Sequence, residues 1–273
     1  MPRGFTDYDT AIIQQRLWTP RVLSWLSWHD FSDLSTVDVD SSGINSLREK
    51  TSNGKTFSQS NNSYKPASQE QPTGNYAGNF GTSGKILASS SSWAAGAKSI
   101  FLAYKADSVT APNAGRSIAS FKDTSANSFT EVTFPNYAGY QPRSIIADYT
   151  ANATARGISD AMTTNPEVMV YTYDGVSNTS NSSYSAKLNG TIKSVIASGA
   201  TGRLDYATEL SSLSGRANSS SAPIQSTEWD GKIYETLVAS GVMSARDIQL
   251  VEGYHSWKWS IPLAADQIGR AHV

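Results

Sequence analysis

Three acidic residues in the C-terminal part of the chain carry carboxyl groups, which glycoside hydrolases use for catalysis. Glu228, Asp230 and Glu235 lie close together in the sequence. Hydrolysis with retention needs two carboxyl groups about 5–5.5 Å apart, one acting as acid and one as nucleophile. In a strand, Glu228 and Asp230 share a face and Glu235 points to the other side. Gly231 also indicates a turn or bulge beside Asp230. The spacing therefore disfavours catalysis, and we expect Glu235 to bond to backbone groups or to Lys258.

Other catalytic and metal-binding patterns are missing from the sequence. The three histidines, His29, His255 and His272, have no metal-ligand spacing, and there is no cysteine for a thiolate or a disulfide. No G-x-S-x-G, P-loop or dinucleotide-binding motif occurs. Asp30 and Asp33 could offer oxygen ligands to calcium, but without a denser acidic cluster we expect them to bond loop backbone. We predict no metal, no cofactor and no enzymatic activity.

Aromatic and amide side chains in polar loops offer a different chemistry, the binding of sugars. A pyranose ring has an apolar face that packs on aromatic rings and hydroxyl groups that bond to polar side chains. Segments 75–79, 135–140 and 178–184 combine such residues. The candidate glycan-binding residues in them are Tyr76, Asn79, Tyr137, Tyr140 and Tyr184. The alternative, surface loops that bind nothing, stays open because both residue types are common in loops.

Composition limits the partners and the compartment. Of the 273 residues, 16% are charged, below the roughly 25% of ordinary soluble proteins, and the net charge is −1. Neither nucleic acid nor an anionic membrane would be attracted by such a chain. There is no signal peptide and no apolar run of membrane-spanning length. We therefore expect synthesis in a cytoplasm, without insertion into a membrane.

Short extended segments separated by polar turns predict an all-β sandwich. The predicted strands before the last one cover residues 26–29, 85–88, 99–106, 118–121, 129–134, 144–149, 167–173, 186–188, 192–196, 203–207 and 213–216. Segment 99–106 is apolar on both faces and predicts a central strand. Asn189-Gly190 is the strongest hairpin signal.

A final strand and a helix close the predicted domain. Period-two alternation places Ile233, Glu235 and Leu237 on one face of the strand and Tyr234, Thr236 and Val238 on the other. Ser244 followed by Asp247 predicts a helix N-cap. Helical spacing predicts a buried face made of Leu250, Val251, Tyr254, Trp257 and Ile261. Pro262 is expected to end this helix, and His255 is expected to pack within it or at an interface.

The closing unit resembles a known family. The motif W-x-G-x-I-x-E followed by S-x-x-D-x-x-x-V-E-G-Y-x-x-W-K-W is similar to the end of concanavalin A-like (laminin-G-like) jelly-roll domains of bacteriophage structural proteins. It is carried by Trp229, Gly231, Ile233, Glu235, Ser244, Asp247, Val251, Glu252, Gly253, Tyr254, Trp257, Lys258 and Trp259. Segment 17–66 resembles the opening of the same domains, although 48–50 departs from their Trp-x-Asp-Lys pattern.

The resemblance implies a concanavalin A-like jelly-roll β-sandwich over 17–262, between an N-terminal arm at 1–16 and a C-terminal tail at 263–273. It further implies a non-enzymatic virion protein on the phage surface, either a head decoration or a tail-associated module. Its partners would be capsid or tail subunits, which it would meet in multiple copies or as a homo-oligomer. The alternative is a glycan-binding receptor adhesin that holds host surface polysaccharide, and a glycoside hydrolase is the less favoured third reading.

Overall fold

The computed structural model contains eighteen strands, three short 3₁₀ helices and one α-helix in its described residues. Those residues are 18–81, 84–89, 97–108, 116–123, 128–134, 143–147, 154–158, 160, 163–176, 180–198, 210–215 and 229–264. The strands are β1 (Ser27–Asp30), β2 (Val37–Asp40), β3 (Gly43–Arg48), β4 (Thr56–Ser58), β5 (Ala67–Glu70), β6 (Tyr76–Asn79), β7 (Leu87–Ser89), β8 (Lys98–Ala106), β9 (Arg116–Asp123), β10 (Ser128–Phe134), β11 (Arg143–Ala147), β12 (Thr154–Ile158), β13 (Pro166–Tyr173), β14 (Tyr184–Leu188), β15 (Thr191–Lys193), β16 (Ile196–Ser198), β17 (Leu210–Leu213) and β18 (Gly231–Ser240). The 3₁₀ helices are Pro20–Val22, Asn62–Tyr64 and Asn181–Ser183, and the α-helix α1 is Ala245–Trp259.

The strands form two antiparallel sheets. The eight-stranded sheet has the order β15-β14-β13-β8-β18-β6-β5, with β1 also paired to β18 beside β6. The ten-stranded sheet has the order β16-β12-β11-β10-β9-β17-β7-β4-β3-β2. The predicted all-β sandwich with a short C-terminal helix is therefore confirmed. Strands β2 to β6 and β12 lie outside the predicted strand ranges, and the predicted strand at 203–207 lies outside the described residues.

The central strand and one hairpin of the eight-stranded sheet were predicted from the sequence. Strand β8 pairs with β13 on one side and β18 on the other, which confirms the central strand read from its continuous apolar run. Strands β14 and β15 form a hairpin at Asn189 and Gly190, whose φ angles are 49° and 82°. Positive φ at both turn residues matches the twist of a two-residue hairpin, which is why Asn-Gly is favoured there.

The central strands of the eight-stranded sheet, β8, β13 and β18, are buried on both faces. The sheet's inner face meets the ten-stranded sheet in the main core, where Leu102 and Tyr104 of β8 pack with residues such as Ile44. Its outer face is covered by α1 and the segment before β1, where Phe101 packs with Trp25. Polar groups of α1 that face this sheet are therefore surrounded by apolar side chains and kept away from solvent.

A β-bulge at Tyr234 breaks the predicted alternation of β18. The pairing with β8 matches Ile233 with Tyr104 and Glu235 with Ala103, so Tyr234 is an extra residue. Ile233 lies in the main core, whereas Tyr234 packs on the helix side and stacks on Trp259 with ring centroids 4.8 Å apart. The prediction that Glu235 shares a face with Ile233 was wrong, because the bulge turns Glu235 to the helix side with Tyr234.

Helix α1 begins and ends at specific capping residues. The Ser244 hydroxyl accepts a hydrogen bond from the backbone N–H of Asp247 at 3.1 Å, which confirms the predicted N-cap. The helix ends at Trp259, because Ser260 adopts a left-handed conformation with φ 54° two residues before Pro262.

The buried face of α1 differs from the predicted one. Its buried side chains are Ile248, Val251, Glu252, His255 and Trp259, which are three, one, three and four residues apart and form one helical face. Trp257, predicted on the buried face, is 69% exposed. The prediction was wrong because two positions of the true face are a glutamate and a histidine, which an apolar pattern does not count.

The predicted arm at 1–16 lies outside the described residues. Beyond α1, Leu263 packs on the helix-side surface of the eight-stranded sheet, and the backbone N–H of Ala264 donates to the carbonyl of Asn189 at 3.0 Å. Within the part of the chain that the structure describes, no helix has the length and apolar character needed to cross a membrane.

Candidate functional site

Glu235 is the centre of a buried polar network beneath α1. Its side chain is fully buried, and its carboxylate accepts four hydrogen bonds. The donors are Trp28 Nε1 at 2.5 Å, Tyr254 Oη at 3.1 Å, Lys258 Nζ at 2.9 Å and Trp259 Nε1 at 3.1 Å. The bond to Lys258 confirms the partner expected from the sequence. The network ties β1, β18 and the last turn of α1 together.

A second carboxylate, Asp30, joins the loop after β1 to the same network. Asp30 Oδ1 lies 2.7 Å from Lys258 Nζ, and its Oδ2 lies 2.8 Å from Lys50 Nζ. Lys50 Nζ is also 3.0 Å from Asp33 Oδ2. Asp30 Oδ1 accepts hydrogen bonds from the backbone N–H of Ser32 at 3.0 Å and from its hydroxyl at 2.7 Å. Each lysine therefore has two carboxylate partners.

Burial and charge set the protonation of these groups in opposite directions. Burial alone would raise the pKa of Asp30, but Lys258 and Lys50 outweigh it and lower that pKa to about 2. Burial raises the pKa of Glu235, and the charge of Asp30 adds to this while Lys258 opposes it. Burial, followed by the charge of Glu235, raises the pKa of Tyr254, so its phenol stays a hydrogen-bond donor.

A surface depression opens above this network, and we call it the Trp257 depression. Its volume is about 880 Å³, within the roughly 300–1,000 Å³ typical of small-molecule sites. Three segments line it: residues 30–34 after β1 together with Lys50, the turn before β6 with Thr73 and Asn75, and the end of α1 from Tyr254 to Ser260. The Asn75 amide donates to the Lys258 carbonyl at 2.7 Å, which joins the second segment to the third.

Trp257 and Leu34 give the rim of the depression an apolar character. Trp257 is 69% exposed and Leu34 is 56% exposed, although large apolar side chains are usually buried. The neighbours of Trp257 in the helix, Lys258 and Trp259, are both anchored on Glu235. The backbone that carries the exposed indole is therefore fixed before any ligand arrives, which lowers the entropy cost of binding.

The structure places the sequence-predicted sugar-binding residues in different surroundings. Tyr76 and Asn79 lie on β6, both half-buried, three positions apart and so on opposite faces. The Asn79 amide donates to Gln69 Oε1 at 2.8 Å. Tyr184 begins β14 rather than ending a loop, and it is buried in the main core.

The other two predicted residues, Tyr137 and Tyr140, lie outside the described residues. Tyr184 stacks on Tyr173, with ring centroids 5.0 Å apart, and so its ring cannot meet a ligand at the surface. The described candidates are not brought together in one place. Among the described residues of the segments proposed for sugar binding, Asn75 lines the Trp257 depression.

Among the carboxylates considered for catalysis or calcium binding, Glu235, Asp30 and Asp33 have structural partners. Glu228 lies outside the described residues, and Glu235 is fully buried and bonded to Lys258. Asp33, like Asp30, bonds its own loop, since its Oδ1 accepts from the backbone N–H of Ser35 at 3.2 Å. In the described part of the chain, no group of three or more histidine or acidic side chains could hold a metal ion.

Sequence reasoning missed Trp257 as a surface residue. A usable signal exists, since Ile248, Val251, His255 and Trp259 follow one helical stripe and Trp257 falls two positions from its end. Two tryptophans two residues apart cannot share one face of a helix, because each residue turns the helix by about 100°. One of the pair had to face solvent or a partner.

Comparisons with solved structures show a likeness in the β-sandwich fold alone. No protein-family model matches the chain, and no curated protein matches it. Trypanosoma rangeli sialidase in complex with sialic acid is 8% identical with a TM-score of 0.50, over 85% of this chain and 32% of that one. The chain thus spans about a third of that sialidase, and at this identity the likeness shows the fold alone.

Two further solved structures are more distant in shape. The CBM40 domain of Ruminococcus gnavus IT-sialidase, bound to α2,3-sialyllactose, is 15% identical with a TM-score of 0.37, over 58% of this chain and 82% of that one. The binding domain of Paraclostridial Mosquitocidal Protein 1 is 7% identical with a TM-score of 0.48, over 85% of this chain and 52% of that one.

Proposed function

We propose that this protein binds glycans at the Trp257 depression and does not act on them as an enzyme. The observation that carries the proposal is the 69% exposed indole of Trp257 on a rigid helix end, above a floor of polar side chains. A sugar ring can pack its apolar face on such an indole while its hydroxyl groups bond to nearby polar atoms.

The polar floor supplies the second half of a sugar site. Ser32, Thr73 and Asn75 line the depression beside the ionised carboxylate of Asp33 and the ammonium of Lys50. Hydroxyl groups of a sugar both donate and accept hydrogen bonds, and a floor of mixed donors and acceptors suits them. The buried carboxylates hold this floor in place rather than perform chemistry, which supports binding without turnover.

Replacing Trp257 with alanine tests the proposal directly. We expect Trp257→Ala to weaken binding to a glycan array about tenfold or more, while Trp257→Phe retains part of the affinity because a ring is still present. The free energy of unfolding should change by no more than about 0.5 kcal/mol, since the indole is mostly exposed.

The matched control is Val176→Ala, which trims an 83% exposed apolar side chain outside the depression. It should leave glycan binding unchanged. Binding that survives in Trp257→Ala at full strength would contradict the proposed site, and release of reducing ends from any bound glycan would contradict the absence of catalysis.

The location on a phage particle, implied by the family resemblance, stays a prediction. A glycan site at an exposed helix end suits an adhesin in which multiple copies act together, because weak sites gain strength by multivalency. Immunogold labelling of particles would test it. Label over the capsid would indicate a decoration protein, label on the tail or fibres would indicate an adhesin, and unlabelled particles would contradict a virion protein.

A further inference from the structure

We propose that the Trp257 depression selects uncharged glycans and disfavours sugars that carry a carboxylate, such as sialic acid or a uronic acid. This inference rests on the proposed function and names the class of sugar that the same site takes. It follows from how the charges that line the depression are arranged.

The lining charges balance, with no positive charge in excess. Asp30 and Asp33 supply two negative charges, and Lys50 and Lys258 supply two positive ones. Directly beneath Lys258 lies the carboxylate of Glu235, 2.9 Å from the ammonium. An anionic sugar would therefore meet a floor whose charge is neutral or negative, and Coulomb attraction would not hold it there.

Both lysines are already occupied by carboxylates of the protein. Lys50 lies between Asp30 at 2.8 Å and Asp33 at 3.0 Å. Lys258 lies between Asp30 at 2.7 Å and Glu235 at 2.9 Å. A ligand carboxylate would therefore meet lysine charges that carboxylates of the protein already balance, and it would compete with them for the same ammonium groups.

The most accessible of these four charged side chains is acidic. Asp33 is 27% exposed, against 14% for Lys50, 9% for Lys258 and 2% for Asp30. A ligand entering from solvent thus meets a carboxylate first. A neutral hydroxyl can donate a hydrogen bond to that carboxylate, whereas a second carboxylate is repelled by it.

The end of helix α1 adds a further negative contribution. The helix ends at Trp259, and its last two turns line the depression through Tyr254, Trp257 and Lys258. The carbonyl groups at a helix C-terminus carry a partial negative charge of about half an elementary unit. Such a terminus favours cations and neutral hydrogen-bond donors and opposes anions.

Binding to matched pairs of glycans tests the inference. An array would carry lactose beside 3′-sialyllactose, and glucose-terminated oligosaccharides beside their glucuronate-terminated counterparts. We expect each neutral member that binds to do so at least about threefold more tightly than its acidic partner, with the difference shrinking as salt rises. Each affinity is measured in the wild-type protein and in Trp257→Ala to confirm that the depression is the site.

An Asp33→Asn variant isolates the charge. Asparagine keeps the acceptor oxygen that bonds Ser35, so the loop should fold as before. We expect this variant to lower the ratio of affinities for neutral and acidic glycans about threefold. The control is Asp38→Asn, because Asp38 is an exposed acid that does not line the depression, and it should leave this ratio unchanged.

The outcomes separate the inference from the proposed function. Acidic glycans that bind as well as or better than their neutral partners, and lose binding in Trp257→Ala, would overturn the charge selectivity and leave glycan binding intact. No binding to any glycan would overturn both. An Asp33→Asn variant with the wild-type ratio would overturn the role of Asp33 in selectivity.

Discussion

Replacing Glu235 with glutamine is expected to lower the free energy of unfolding by about 3–5 kcal/mol, because it breaks a buried ion pair from one side. The Glu235 carboxylate is fully buried, with Trp28 and Tyr254 bonded to one oxygen and Lys258 and Trp259 bonded to the other. Glutamine offers one acceptor oxygen and one NH₂ group. Whichever way the amide points, at least one indole N–H faces the NH₂ group, and each buried donor without an acceptor costs about 1–3 kcal/mol.

Urea unfolding followed by circular dichroism measures this loss, and calorimetry should show the melting temperature falling by roughly 10 °C. The matched control is Glu70→Gln on β5, an exposed position where the same change should cost less than about 0.5 kcal/mol. Adding Lys258→Met to Glu235→Gln should cost less than the sum of the two single changes, with a coupling above about 1 kcal/mol.

A loss below about 1 kcal/mol for Glu235→Gln would refute the reasoning. It would mean that water or another group satisfies the donors around position 235, and that the helix end is not held by this carboxylate. The helix end that carries Trp257 would then not be held rigidly by Glu235, although its neighbours Lys258 and Trp259 both bond to that carboxylate.

Two more predictions concern stability. Burial lowers the pKa of both His29 and His255 to about 3, so the unfolded chain takes up protons below pH 6.5 while the folded chain does not. The free energy of unfolding should therefore fall as the pH drops from 6.5 toward 5, by up to about 1.4 kcal/mol per pH unit for each histidine. Urea unfolding across this range should show that the free energy of unfolding falls less steeply with decreasing pH in His255→Leu than in the wild type. A free energy of unfolding that does not change with pH would contradict this prediction. Ser244→Ala should cost about 1 kcal/mol through loss of the N-cap, with Ser244→Asn as the tolerated control, and unchanged thermal unfolding would argue against the cap.

Features encoded within a few neighbouring residues were predictable from the sequence. The Asn189-Gly190 turn, the Ser244 cap and the central strand at 98–106 each follow from local residue types. Turn glycines, capping hydroxyls and apolar runs act through the backbone next to them, so their effect does not depend on distant partners. The sandwich could be predicted for the same reason, because it is the sum of many such local signals.

Features decided by distant partners could not be predicted. The bulge at Tyr234 arises in the pairing of β18 with β8, more than 120 residues earlier, and it reverses the side on which Glu235 lies. The burial of Glu252 depends on Lys187, 65 residues away. When its partner is unknown, a glutamate is assigned to the surface. The apolar pattern therefore left Glu252 off the buried face of α1 and placed Trp257 on it.

The candidate site was predicted least well, because it is assembled from three separate segments. Asn75, Asp33 and Trp257 lie far apart in the chain and meet only at the surface of the finished fold. Tyr184 shows the opposite error, since an aromatic residue read as part of a loop belongs to the core. A tyrosine beside asparagines and serines does not reveal whether its ring faces inward or outward.

The position of β18 has a consequence for how the protein is made. In the described sheet, β18 is the strand that joins β8 and its neighbours on one side to β1 and β6 on the other. It leaves the ribosome roughly 125 residues after β8, which at about 5–20 residues per second is a delay of some 6–25 seconds. During that time the edge of β8 that pairs with β18 has unpaired backbone groups and is open to chaperones or to other nascent chains. The sheet is complete only when β18 is inserted between β8 on one side and β1 and β6 on the other. A chain whose synthesis stops before Gly231 therefore lacks the strand that joins these two parts of the sheet.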